Sequence, residues 1–163
     1  MAQRSSFADA MARFPGAVTI ITTREYDLPY GMVATAVCSL SADPPSLIVC
    51  LNKDTSAHDP ILRQKLFAVN LVSGEHVHVV RHFMASKGRD RFNLGDWKTL
   101  VTGAPILDNA TVAFDCELSE VHDGFTHSIL IGTVKDCHIS TVVDQTCLLW
   151  HGRDFAGPSR LPG

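Results

Sequence analysis

No stretch of this sequence is apolar for long enough to cross a bilayer, its longest apolar runs reaching about half of the ~20 residues that a spanning helix needs. A basic excess is missing too: the net charge is −3, which excludes the positive field that draws proteins to nucleic acid. The five cysteines are odd in number and form no CxxC, so neither a disulfide framework nor a thiol redox pair is indicated. They read as small buried hydrophobes in a reducing compartment. The first residues, MAQRSSFADAMARF, carry charges inside any apolar core and do not read as a signal peptide. A cytoplasmic protein is expected. Asn109-Ala110-Thr111 matches a glycosylation acceptor, a match without meaning in that compartment. There is no GxGxxG, P-loop or GxSxG, which removes Rossmann, Walker and serine-hydrolase readings. Internal repeats and low-complexity segments are absent as well.

What is there fits one soluble domain. A chain of 163 residues, 45% of them hydrophobic, buries roughly two-thirds of its unfolded surface without metal or disulfide help. Phe7, Ala8, Met11 and Phe14 recur at helical spacing over 5–14, and Pro15-Gly16 ends the run. The β-branched AVTIITT (17–23) predicts a strand, followed by a turn over 25–30 and a strand over about 32–39. Asp43-Pro44-Pro45 forces a break before a short buried strand, SLIVCL (46–51). A short helix is predicted over 56–65 with Ser56 as its N-cap, a strand at FAVNL (67–71), and a helix over 75–85 with Val77, Val80, Phe83 and Met84 on its apolar face. The segment 87–105 reads as loop. Val112, Phe114, Cys116 and Leu118 alternate with Ala113, Asp115, Glu117 and Ser119, giving a two-faced strand. Asp123-Gly124 signals a two-residue hairpin to a partner strand over 125–138, and CLLWH (147–151) closes the series. Six or seven strands with few helices point to a mainly β fold, a small antiparallel barrel with helices outside. The strand 125–134 is apolar on both faces, which suggests cover by a helix or by a second copy in a homodimer.

Several clusters carry chemistry in their residue types. His76, His78 and His82 lie on the predicted helix, but His76 sits well round the axis from His78 and no cysteine or carboxylate completes a set; they read as a polar helix face. Lys87, Arg89, Asp90 and Arg91 are either a solvated loop or a clamp for a phosphate. His127 is one histidine among eight, and composition does not single it out. The stretch GMVATAVCSLSADPPSLIVCLNKDTS (31–56) says most. Ala34, Thr35, Ala36 and Ser39 suit close approach of a flat conjugated ring, while Asn52, Lys53, Thr55 and Ser56 suit a terminal phosphate at a helix start. The same residues would also serve as a buried strand and an ordinary cap, with Asp54 an awkward negative charge unless it faces solvent.

Taken together, AVTIITT (17–23), GMVATAVCSLSADPPSLIVCLN (31–52), FAVNLVS (67–73), Asp90-Arg91-Phe92 and THSILIGTV (126–134) resemble the short-chain flavin reductases. The resemblance runs from about Phe7 to Phe155 and is nearest to the reductase components of 4-hydroxyphenylacetate-type two-component monooxygenases and to the reductase of the pyrimidine-degradation pathway. It implies a homodimeric, Greek-key split β-barrel (flavin reductase-like domain 1–155, flexible tail 156–163). It also implies an NAD(P)H:flavin oxidoreductase that reduces FMN or FAD with NADH or NADPH and supplies reduced flavin to a partner oxygenase. The runner-up, from a different functional class, is a tightly flavin-bound carrier or redox sensor with little nicotinamide turnover, and a third reading is a reductase acting on another bound partner such as a corrinoid. By resemblance, Val33, Ala34, Thr35, Ala36 and Ser39 lie along the flavin ring and its ribityl chain. Leu51, Asn52, Lys53, Thr55, Ser56 and Ala57 hold the flavin phosphate, and Ala85, Ser86, Arg91 and Phe92 close the far side. His127 stands near the nicotinamide as the catalytic residue, and Trp150 and Phe155 contact the nicotinamide nucleotide. No metal is implied. The chain departs from the family pattern at Phe125-Thr126-His127, where many relatives carry Gly-Asp-His, and at Thr35-Ala36-Val37, where many carry Asn-Ser-Phe. Both departures bear on nicotinamide preference rather than on flavin binding.

Overall fold

The computed structural model describes residues 2–142, 145–159 and 161. Its frame is one seven-stranded antiparallel sheet built from β2 (Thr19–Glu25), β3 (Leu28–Ala34), β4 (Val37–Ala42), β5 (Pro45–Asn52), β6 (Leu66–Leu71), β9 (Val112–Gly124) and β10 (His127–Ile139). The order across the sheet is β3-β2-β6-β9-β10-β5-β4, so the two edge strands are consecutive in sequence. Only Thr35 and Ala36 join them. In a flat sheet six inter-strand gaps would separate the edges by about 29 Å, whereas three Cα steps reach at most ~11 Å. The sheet therefore rolls into a barrel. No ladder links β3 to β4 among the described residues, and that seam is the split.

The interior follows from period-2 patterning. Leu47, Val49 and Leu51 of β5 are buried, as are Leu130 of β10, Phe67 and Val69 of β6, and Cys116 and Leu118 of β9. Val49 lies opposite Leu130 in the register, and each such fully buried side chain contributes ~1.5–3 kcal/mol. Gly132 of β10 is required by sterics: a Cβ there would stand 2.3 Å from Phe67 Cζ. A second core lies outside the barrel, where α3 (Val77–Ala85) seats Val79, Val80 and Phe83 against Ile20, Ala68, Ala113, Ile106 and Leu107. The remaining elements are α1 (Ala2–Met11), α2 (His58–Gln64) and two small sheets. One sheet pairs β1 (Gly16–Ala17) with β11 (Leu149–His151) and β12 (Asp154–Ala156); the other pairs β7 (Trp97–Thr99) with β8 (Pro105–Leu107).

The structure corrects several expectations. The single strand expected over 32–39 is two strands broken at Thr35-Ala36, because the chain must step from one barrel edge to the other. The β9–β10 turn is Phe125-Thr126 rather than Asp123-Gly124: His127 pairs with Gly124, and Phe125 takes the left-handed conformation at φ 64°. Ser56 does not cap α2; Ala57 holds that position with no side-chain bond. Of the cysteines only Cys116 is buried, its thiol pushed up to about 12 by desolvation, while Cys38 and Cys137 are exposed. Met84 is 58% exposed instead of facing the core. Ala113 and Asp115 of β9 are buried because segment 102–110 covers that face; Asp115 accepts from the Thr102 N–H at 2.7 Å and from its hydroxyl. The segment expected as loop holds a 3-10 stretch (Gly88–Asn93) and strand β7. Strand β12 carries the chain to Ala156, one residue into the expected tail, of which 160, 162 and 163 lie outside the described residues.

Candidate functional site

The barrel seam opens on a cavity of about 850 Å³ on the outer side of the sheet, within the range of small-molecule and cofactor sites. Its floor is Met32, Val33 and Ala34 at the end of β3, then Thr35 and Ala36 of the link. The Thr19 hydroxyl donates to the Ala34 carbonyl at 2.7 Å and pins the strand end there. Thr35 and Ala36 fall outside the residue pairs of both flanking strands; the Ala36 carbonyl accepts from the Cys50 N–H at 2.9 Å, while the N–H groups of Thr35 and Ala36 have no backbone partner among the described residues. Cys50 and Asn52 enter from β5 because alternate residues of that strand face outward while Leu47, Val49 and Leu51 face in.

One end of the cavity is a tight turn organised by Asn52. The Asn52 carbonyl accepts from the Thr55 N–H at 3.2 Å and the Thr55 hydroxyl at 2.8 Å, and its side-chain oxygen accepts from the Asp54 N–H at 2.9 Å. Asp54, Thr55 and Ser56 line this end. His127 stands beside them, paired across the sheet with Asn52. Its Nδ1 lies 2.9 Å from the Thr126 hydroxyl, and Nε2 has no partner among the described residues. Directly behind, the buried His58 anchors the start of α2 to β10: its Nε2 is 2.9 Å from Ser128 Oγ and its Nδ1 2.8 Å from Asp59 Oδ1. Asp59, a carboxylate, can only accept, so Nδ1 carries the proton and Nε2 accepts from Ser128 while the ring is neutral.

The rest of the wall is aromatic and cationic. Trp150 and Phe155, paired across β11 and β12, meet edge to face with centroids 5.2 Å apart, and the Arg81 guanidinium lies 5.3 Å over the Phe155 ring. Phe83 and Met84 come from α3, and Lys87, Gly88 and Arg91 from the segment that follows. Arg91 ties that segment to β3, donating to the Gly31 carbonyl and, at 3.0 Å, to the Ser86 carbonyl. A Cβ on Gly31 would stand 2.9 Å from Phe83 Cζ, so this closeness of α3 to β3 needs glycine.

Of the residues expected at a site, the structure brings Val33, Ala34, Thr35, Ala36, Asn52, Thr55, Ser56, Arg91, His127, Trp150 and Phe155 to this one cavity. Others lie off its wall. Leu51 and Ala57 are fully buried in the barrel core, and Ser39 is exposed on edge strand β4. Lys53 is turned to the β9–β10 hairpin, where its ammonium pairs with Asp123 and donates to the Phe125 carbonyl at 2.7 Å. That pairing holds the Asp123 carboxyl below its ordinary value. Ala85 is exposed at the end of α3, Ser86 presents its carbonyl to Arg91, and Phe92 packs behind Phe83 at 5.1 Å. Val18, Met32, Cys50, Asp54, Phe83, Met84 and Gly88 line the cavity without having been expected there, and strand alternation could have flagged Met32 and Cys50; Lys87, read from the sequence within a cluster that was either solvated or a phosphate clamp, lines it too. The two alternatives for that cluster divide by residue: Lys87 and Arg91 face the cavity, while Arg89 faces another cleft. His76 belongs to neither, since its Nδ1 accepts from the Ser73 N–H at 3.2 Å.

Comparison with known proteins shows the family of the chain. Residues 11–159 match the model of the flavin reductase like domain. A protein named FMN reductase (NADH) RutF from Agrobacterium fabrum is 43% identical over 141 residues, 85% of this chain and 80% of that one. Among solved structures, nitrilotriacetate monooxygenase component B from Mycobacterium thermoresistibile superposes with a TM-score of 0.92 at 28% identity, covering 99% of this chain and 92% of its own. BorF, the flavin reductase component of a bacterial two-component tryptophan halogenase, gives 0.84 at 29%, covering 96% and 99%. With nearly its whole length matched and a cavity built where its barrel splits, the chain belongs to the flavin reductase-like domain family.

Proposed function

We propose that the chain is an NADH-dependent flavin reductase whose cavity brings a flavin and a nicotinamide together, and that the reduced flavin leaves for a partner oxygenase. The observation that carries the reading is the coincidence of uncommitted backbone donors at Thr35 and Ala36, small apolar side chains around them, and aromatic and cationic groups on the same cavity, all facing one volume of about 850 Å³. A planar tricyclic ring fits such a wall: Ala34, Thr35 and Ala36 allow close approach, and no charge lies beneath it. When bound, the flavin supplies a hydride acceptor and the nicotinamide a hydride donor.

The protein then has little covalent chemistry to do. Val33 to Ala36 form the face that orients the ring, and the free N–H groups of Thr35 and Ala36 are suited to stabilising negative charge developing at its edge. Thr55 and Ser56 offer hydroxyl contacts to the flavin's polar chain. With Lys53 engaged by Asp123, the cations on the cavity wall are Lys87 and Arg91, and these take the phosphate charge in place of Lys53. His127 presents Nε2 to the nicotinamide carboxamide, and Trp150 and Phe155 exclude water from the side where that ring enters. FMN and NADH are the proposed pair, following the name of the Agrobacterium relative. The half-buried outer residues Ile48, Ile129 and Ile131 of β5 and β10 form an apolar strip suited to a second copy, and a homodimer is proposed. No helix among the described residues is long and apolar enough to cross a membrane; action in the cytoplasm is part of the proposal.

Anaerobic reduction followed optically, with FMN, FAD or riboflavin and with NADH or NADPH in turn, tests the reading. Catalytic bleaching of free FMN by NADH is the expected result. Protein that keeps its flavin through dialysis and oxidises no NADH overturns it in favour of a flavin carrier.

A further inference from the structure

A second concavity, of about 570 Å³, lies on the far side of the Gly88–Asn93 segment from the flavin cavity. Its walls combine two features rarely left open together. Arg24 and Arg89 both line it, and neither has an ion-pair partner among the described residues. The guanidinium of Arg24 lies over Gly103, where a Cβ would stand 2.7 Å from its Nη2, so its place depends on a residue without a side chain. The third cation, Lys98, is paired with Asp108 at 2.6 Å. One carboxylate, Asp27, lines the cleft against the two free guanidiniums.

The second feature is aromatic. Phe92 and Trp97 form one wall, with centroids 4.9 Å apart and planes inclined at 62°. Tyr26 stands on the rim, 85% exposed and held at φ 54° in the β2–β3 turn. A large side chain in that left-handed region is unfavourable, and an aromatic ring so exposed buries nothing in the fold itself. Neither cost is recovered within the described residues.

We propose that this cleft is a second ligand site, distinct from the flavin cavity, for a small planar aromatic or heteroaromatic anion. The ring packs against Trp97 and Tyr26, while its carboxylate or phosphate is held by Arg24 and Arg89. Guanidinium groups suit both oxyanions through paired N–H donors, and cation–π contact with the ring adds to the hold. The site shares no lining residue with the flavin cavity; the two back onto each other through the segment 87–92 and through the packing of Phe83 on Phe92 and Trp97, at 5.1 and 5.9 Å.

The chain has two tryptophans, so Trp150→Phe leaves Trp97 as the sole indole reporter in the cleft. The full-length W150F protein is titrated with 4-hydroxybenzoate, with AMP and with inorganic phosphate, following emission. A saturable change with either ring anion is expected, and which of the two binds more tightly separates a carboxylate ligand from a nucleotide. Phosphate alone is expected to produce no comparable change. Adding R24Q and R89Q together is expected to weaken binding at least about tenfold, since two charge-assisted contacts are lost, while the R24Q/R89Q protein with Trp150 in place titrates with flavin as the unmodified protein does and reports an intact fold. Three outcomes overturn the proposal: no saturable response to either ring anion, equal affinity in the R24Q/R89Q protein, or an equal response to phosphate.

Discussion

The inner and outer faces of strands β5 and β10 are made by adjacent residues, yet they are finished to different degrees. Inward, Val49, Leu51 and Leu130 are fully buried and meet side chains from every other strand of the barrel. Outward, Cys50, Asn52 and His127 are half-buried and line a cavity. One face completes its own packing, and the other is shaped to be completed by something else. Stability resides on the first and the proposed function on the second, and the two are separable because successive side chains of a strand never share a face.

The strongest way to break this division is to overfill the closed face. Gly132→Val drives a side chain into the Phe67 ring and is expected to lose about 3 kcal/mol or more of stability, measured by denaturant unfolding. On the unfinished face the same kind of enlargement has the opposite signature. Ala36→Leu is expected to leave the unfolding midpoint nearly unchanged and to weaken flavin binding about tenfold or more, because exposed positions tolerate substitution while a ligand wall does not. Equal loss of stability in both variants would erase the distinction.

His127→Ala refines the picture within the cavity. It is expected to raise the KM for NADH about fivefold, the worth of one modest hydrogen bond, with flavin affinity retained. Unchanged rates across the NADH range would remove the residue from the mechanism.

The smallest effect concerns His76, which lies on neither face. Burial pushes its pKa below the ordinary 6.5, and its Nδ1 must stay unprotonated to accept from Ser73. The unfolded chain therefore binds the proton first, so this contribution to stability is complete above pH 6.5 and declines as pH falls from there toward the depressed value. Unfolding free energy measured against pH should show that slope, and His76→Gln should flatten it.

Much of this architecture was legible in the residues. AVTIITT, SLIVCL and FAVNL announce strands by β-branching and length, and the alternation of Val112 to Ser119 marks β9. What escaped the sequence were features set by closure in three dimensions. The break at Thr35-Ala36 has no proline or glycine to signal it; it exists because the two edges of a rolled sheet must be joined. The hairpin shift placed Phe125 in a conformation that Asp-Gly would ordinarily claim, with Lys53 drawn to that turn by Asp123. A lysine beside two hydroxyl residues looks like a phosphate ligand until a carboxylate 70 positions away is seen to hold it. The aromatic end of the site was visible only in part, since Trp150 and Phe155 were recognised by resemblance while Phe83 and Met84 looked like core.

The two-residue bridge across the seam has one more implication. Thr35 and Ala36 are at once the hinge of the barrel and the floor of the proposed binding cavity, so whatever sits there also rivets the one joint of the sheet that has no ladder among the described residues. Opening fluctuations should begin at this joint in the ligand-free protein, and amide exchange along β3 and β4 should slow on adding flavin well before the distant β6–β9 pair responds. In the proposed complex the cofactor's seat and the barrel's clasp are the same few atoms.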